Sequence, residues 1–123
     1  MSTDIKTLLE AAHASVPRIT PQEAKDLITK GQTLVIDVRD ANEVEETGMI
    51  AGAINVSRGM LEFRADPSSP YHDKAFDPGK TIILYCASGG RSALGGKSMK
   101  ELGYANVLNL GAFKDWVESN GAV

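Results

Sequence analysis

The run Thr81-Ile82-Ile83-Leu84-Tyr85 shows no polar alternation before it meets Cys86-Ala87-Ser88-Gly89-Gly90-Arg91-Ser92. A strand that offers water neither face must be covered on both, so this run reads as a central strand of a parallel sheet. The glycines then turn the chain into a helix expected from about Arg91 to Leu102. A buried strand feeding a helix through a tight turn restricts the chain to layered α/β architectures.

The rest of the sequence repeats that alternation. Ile5, Leu8, Leu9 and Ala12 recur at helical spacing behind Ser2-Thr3-Asp4, which can cap the start. Thr20-Pro21-Gln22-Glu23 has the form of a capping box with proline at the first helical position; Ala24, Leu27 and Ile28 give the inner face, and Gly31 closes the helix. Leu34–Val38, Ala53–Val56 and Asn106–Leu110 read as short strands, and a last helix carries Phe113, Trp116 and Val117. Residues 64–79 hold three of the five prolines and read as a long irregular connection. Short buried strands separated by helices predict one parallel sheet covered on both faces, with ligands beyond the strands' carboxyl ends. Cys86 and Asp37-Val38-Arg39 both fall at such ends.

At 123 residues the chain suffices for one core-bearing domain. Thirteen Lys and Arg against sixteen Asp and Glu give a net charge of −3, so no basic surface points to nucleic acid or an anionic membrane. One cysteine excludes an internal disulfide and a multi-cysteine zinc site, and no His/Cys/carboxylate spacing suggests a metal. No signal-peptide core or membrane-length apolar stretch is present, so a cytoplasmic protein is expected, without cofactor.

The candidate nucleophile is Cys86. A thiol at the carboxyl end of a buried strand meets the backbone N–H groups and dipole of the following helix, which favour the thiolate. The competing reading is an inert, buried small hydrophobe. Gly89-Gly90 and Arg91 weigh against it, because they supply a tight cradle and a positive charge at its rim. Gly96-Lys97-Ser98 imitates the end of a phosphate-binding P-loop, but Arg91 stands where its first glycine is required. His13 and His72 are read as structural or exposed, and the Glu residues between 43 and 46 as a solvated helical face.

Four segments in order resemble a rhodanese domain: Leu34-Val35-Ile36-Asp37-Val38-Arg39-Asp40, Gly48–Val56, Cys86–Ala93 and Gly103–Gly111. The resemblance runs from about Arg18 to Glu118. It implies an α/β, rhodanese-like fold with a central, mostly parallel five-stranded sheet and helices on both faces. Residues 1–16 would be a helical extension to a single domain at 17–123. Met49 stands where the family commonly has a structural histidine. The loop residues Ala87, Ser88, Gly89 and Gly90 carry no basic side chain, which points to thiosulfate as a poor or surrogate donor and leaves persulfide or protein donors equally compatible.

The resemblance further implies a sulfurtransferase that moves a sulfane sulfur from thiosulfate or a persulfide to cyanide, a thiol or a protein acceptor through a Cys86 persulfide. Backbone N–H groups from Ala87 to Ser92 would hold the persulfide. Arg91 would brace the loop or meet an anionic donor. Asp37 and Arg39 would form a supporting shell, with Arg39 pairing a carboxylate. The alternatives are a non-catalytic or carrier-type module that docks a protein partner, and a cysteine-dependent phosphatase or arsenate reductase. Related phosphatases carry five residues between cysteine and arginine, whereas four stand here.

Overall fold

The computed structural model describes residues 2–123. Six helices and four strands alternate along them: α1 Ile5–Ser15, α2 Pro21–Lys30, β1 Thr33–Asp37, α3 Ala41–Thr47, β2 Ile54–Asn55, α4 Leu61–Ala65, β3 Thr81–Cys86, α5 Gly90–Glu101, β4 Val107–Ala112 and α6 Phe113–Glu118. The helix starts carry the signals expected of them. Asp4 caps α1 through the Thr7 N–H at 2.8 Å, and Thr20 and Glu23 bond reciprocally at the start of α2.

The sheet order is β2-β1-β3-β4, and every pairing is parallel. Alternation along the strands sorts the core into two layers. Leu34, Ile36, Val38, Ile82, Leu84 and Cys86 face one side, with Val16, Leu61 and Met99. Val35, Ile83, Tyr85 and Leu110 face the other, with Ala24, Phe113 and Trp116. Helices α1, α4 and α5 therefore cover one face, and α2 and α6 the other. Met49 packs against this second cluster.

The sheet has four strands and not the expected five. The position beyond β4 is reduced to a single parallel bridge between Arg18 and Asn109, with Ile19 N–H donating to Asn109 O at 3.0 Å and Asn109 N–H to Pro17 O at 2.9 Å. Extension is blocked at both ends. Pro17 has no N–H, and the Thr20 N–H is taken by the Glu23 carboxylate.

The glycines that imitated a P-loop serve helix packing. A Cβ on Gly95 would press into Leu61, and one on Gly96 would meet both methyls of Val16 at 3.0 Å. Helix α5 thus seats closely on α1 and α4, with its first turn beneath the loop that follows β3. No helix among the described residues is long and apolar enough to cross a membrane.

Candidate active site

Parallel strands place their carboxyl ends together, and that edge assembles the site. Cys86 ends β3, one residue pairing beyond Tyr85, while Asp37 ends the neighbouring β1. After Cys86 the chain turns through exposed Ala87 and Ser88, and Gly89 takes the left-handed conformation at φ +104° that starts α5. This turn aims the Gly89 N–H at the Cys86 Sγ, 3.0 Å away.

Cys86 is wholly buried. Burial by itself raises a thiol pKa, but the donors around this sulfur outweigh it. The Ser92 hydroxyl and the backbone N–H groups of Ser92, Gly89 and Ser88 shift the pKa below its ordinary value. The Ser92 Oγ lies 3.4 Å from Sγ and donates to Asn109 Oδ1 at 2.8 Å, while Asn109 Nδ2 donates to Gly89 O at 3.1 Å. The bond to Gly89 O sets the amide's orientation. A hydroxyl has one proton, so Ser92 accepts from the neutral thiol and turns its proton to Sγ when the thiolate forms.

That switch gives a first prediction. Ser92→Ala removes a charge-assisted donor, so Cys86 alkylation at pH 7 should slow by about tenfold and its pH midpoint should rise. Iodoacetamide rates measured against pH check this; an unchanged midpoint contradicts it.

Arg91 does not point into the loop. Its guanidinium grips Glu43 on α3 in bidentate fashion, at 2.7 and 3.0 Å. The sequence pattern places Glu43 on a solvated helical face; in the structure it is half-buried by this pairing, while Glu45 and Glu46 remain exposed. Its hydrogen bond with Arg91 holds the carboxyl down to about 2, and the Arg91 pKa is raised in turn. The cradle is thereby tied to α3.

Arg39 is closed as well. It contacts Asp37 through Nε at 3.0 and 3.1 Å and through Nη2 at 2.6 Å, and donates further to Thr47 Oγ1 and Gly48 O. Its guanidinium stacks over Phe113, 4.4 Å from the ring centroid. Asn55 Nδ2 donates to the Asp37 and Arg39 carbonyls at 3.0 Å each, joining β2 to this corner. The structure thus brings Cys86 and Ala87 to Ser92 together, with Asp37 and Arg39 as a sealed pair beside them.

A groove of about 260 Å³ between α3 and α6 reaches the loop, lined by Glu43, Glu46, Thr47, Ala87, Phe113 and Lys114. Among the described residues no three His, Cys, Asp or Glu side chains converge as a metal site. Neither histidine meets Cys86, and the His72 Nε2 is buried without a partner in the irregular connection. Asn109 and Glu43 are the site residues that motif reading missed. An asparagine inside an apolar strand was the available signal, since a buried amide must find partners.

Comparison with known proteins agrees with this geometry. A family model described as a rhodanese-like domain matches residues 20–119. The rhodanese domain-containing protein CG4456 of Drosophila melanogaster is 30% identical over 108 residues, covering 83% of this chain and 97% of its own. Thiosulfate sulfurtransferase GlpE of Coxiella burnetii is 32% identical over 100 residues, covering 80% and 85% respectively. A solved structure from Rhodopseudomonas palustris, described as a possible tyrosine phosphatase of unknown function, superposes with a TM-score of 0.92 at 35% identity, covering 100% of this chain and 96% of its own. The chain belongs to the rhodanese-like domain family.

Proposed function

We propose that this domain is a sulfurtransferase working through a persulfide on Cys86. The observation that carries the reading is the buried Sγ, held at the start of α5 with the Gly89 N–H at 3.0 Å and the Ser92 hydroxyl at 3.4 Å. These are donors to the Sγ anion of the thiolate, and the N–H groups of the same loop would take up the outer sulfur of the persulfide, where its charge lies.

In the first half-reaction the Cys86 thiolate attacks the outer sulfur of a sulfane donor. With thiosulfate, the new S–S bond forms as the donor's S–S bond breaks, and its electron pair leaves on sulfite. In the second, cyanide attacks the outer sulfur of the persulfide and departs as thiocyanate, which regenerates the thiolate; a thiol acceptor takes the sulfur in the same way. Ala87 to Ser92 would hold the persulfide anion with their N–H groups. Arg91 braces that loop through Glu43, and Asp37 and Arg39 support the adjoining corner. A lone thiol suits the reducing cytoplasm.

The phosphatase description of the Rhodopseudomonas palustris structure makes that chemistry the second reading to weigh. Phosphoryl transfer needs a guanidinium or cation on the equatorial oxygens. Here the loop's own arginine, Arg91, is engaged by Glu43, and the loop of four residues rather than five leaves a cradle suited to one sulfur atom and too tight for a tetrahedral phosphate. A carrier role, passing the persulfide sulfur to a protein acceptor, uses the same first half-reaction.

Steady-state transfer from thiosulfate to cyanide should give parallel double-reciprocal lines, and Cys86→Ser should abolish turnover. Hydrolysis of an aryl phosphate by the unmodified protein that disappears in Cys86→Ser would overturn the sulfur-transfer reading.

A further inference from the structure

A thiosulfate-type donor carries negative charge beyond its reacting sulfur, yet the four residues between Cys86 and Arg91 include no cation. Four basic side chains reach the loop or its groove. Arg39 is closed on Asp37, and Arg91 on Glu43. Lys114 faces a groove that it shares with Glu43 and Glu46. Arg18 differs from all three: it is exposed and forms no side-chain hydrogen bond or ion pair among the described residues.

The fold aims Arg18 at the loop. Its backbone is pinned to β4 by the bridge to Asn109, whose side chain bonds Ser92 and Gly89. From there the guanidinium lies flat over Gly111. A Cβ on Gly111 would overlap it, and a Cβ on Gly89 would stand 3.1 Å from its Nη1. Gly89 and Gly111 therefore keep open the shelf on which this cation rests, and both have positive φ, at +104° and +91°.

The Gly89 N–H in turn points at Sγ from 3.0 Å, which places the guanidinium within about 9 Å of the nucleophile by ordinary bond lengths. A reacting sulfur at about 3–3.5 Å from Sγ and an oxygen at about 2.8 Å from the guanidinium leave at most about 3 Å between them, so no donor longer than one small oxyanion is needed to bridge the two.

We propose that Arg18 is the anion-binding residue of the sulfur-donor subsite and takes the sulfonate end of a thiosulfate-type donor. The assignment rests on the sulfur-transfer reading. As the donor's S–S bond breaks, its electron pair moves onto the departing sulfite, and a planar guanidinium fork stabilises that growing charge. A cation from outside the loop thereby supplies what Ala87 to Gly90 lack.

Sulfite probes the subsite without requiring transfer. It should protect Cys86 from iodoacetamide in the wild-type protein, and Arg18→Ala should raise the half-protecting concentration by about tenfold, the loss of one charge-assisted hydrogen bond. Arg18→Lys should retain part of the protection. Lys114→Ala, which removes another exposed cation near the loop, should change it less than twofold. Persulfide loading from thiosulfate should slow in step in Arg18→Ala, while discharge of the loaded protein by cyanide keeps its wild-type rate. Equal protection in wild type and Arg18→Ala overturns the proposal, as do equal losses in Arg18→Ala and Lys114→Ala, which would mark a diffuse field rather than a site. Protection that depends on Arg18 in a protein taking up no sulfur from any donor would sustain the anion site and overturn the sulfur-transfer reading instead.

Discussion

Arg39→Ala should destabilise the protein by about 3–5 kcal/mol, because it leaves the Asp37 carboxylate buried without its cation. Asp37 is 0% and Arg39 2% exposed, so water replaces none of the lost contacts. The same guanidinium joins β1 to the end of α3 through Thr47 and Gly48 and covers the Phe113 ring. For a domain of this size the loss corresponds to a fall in Tm on the order of 10–20 °C. Urea unfolding should show a lower midpoint at unchanged slope. Replacing both partners with apolar or neutral side chains of similar size, as in Asp37→Asn with Arg39→Met, should cost less than the two single changes together. A loss under about 1 kcal/mol in Arg39→Ala would show that the pair is not the structural corner described here.

Local signals were legible in the sequence where their physics is local. The Asp4 cap, the Thr20/Glu23 box and the strand-to-helix turn at Cys86 all depend on residues a few positions apart. Cys86 and its loop stood out for the same reason. What escaped was long-range pairing. Glu43 finds Arg91 across 48 residues, and Asn109 finds Ser92 across 17. Neither spacing leaves a periodic trace, so Glu43 looked like any acidic residue on a helix surface. The missing fifth strand depends on the Thr20 N–H being used by Glu23, a competition that strand propensity does not express. Arg18 carried no motif at all. Its place over Gly111 is visible only once β4 and the segment at 17–19 are side by side.

A persulfide on Cys86 should also last. Cys86 is the only cysteine, so no second thiol in the chain can attack the loaded sulfur. The loop N–H groups that converge on Cys86 would further hold the persulfide anion against loss. Sulfur transfer through Cys86 is therefore decided by intact-mass measurement after exposure to thiosulfate and, separately, to a low-molecular-weight persulfide, each followed by desalting. The wild-type protein should gain the mass of one sulfur atom, cyanide or a thiol should remove it, and Cys86→Ala should never acquire it. Wild-type protein that takes up no sulfur from any sulfane donor, or uptake that proceeds equally well without Cys86, would rule out a Cys86 persulfide as the carrier of the transferred sulfur.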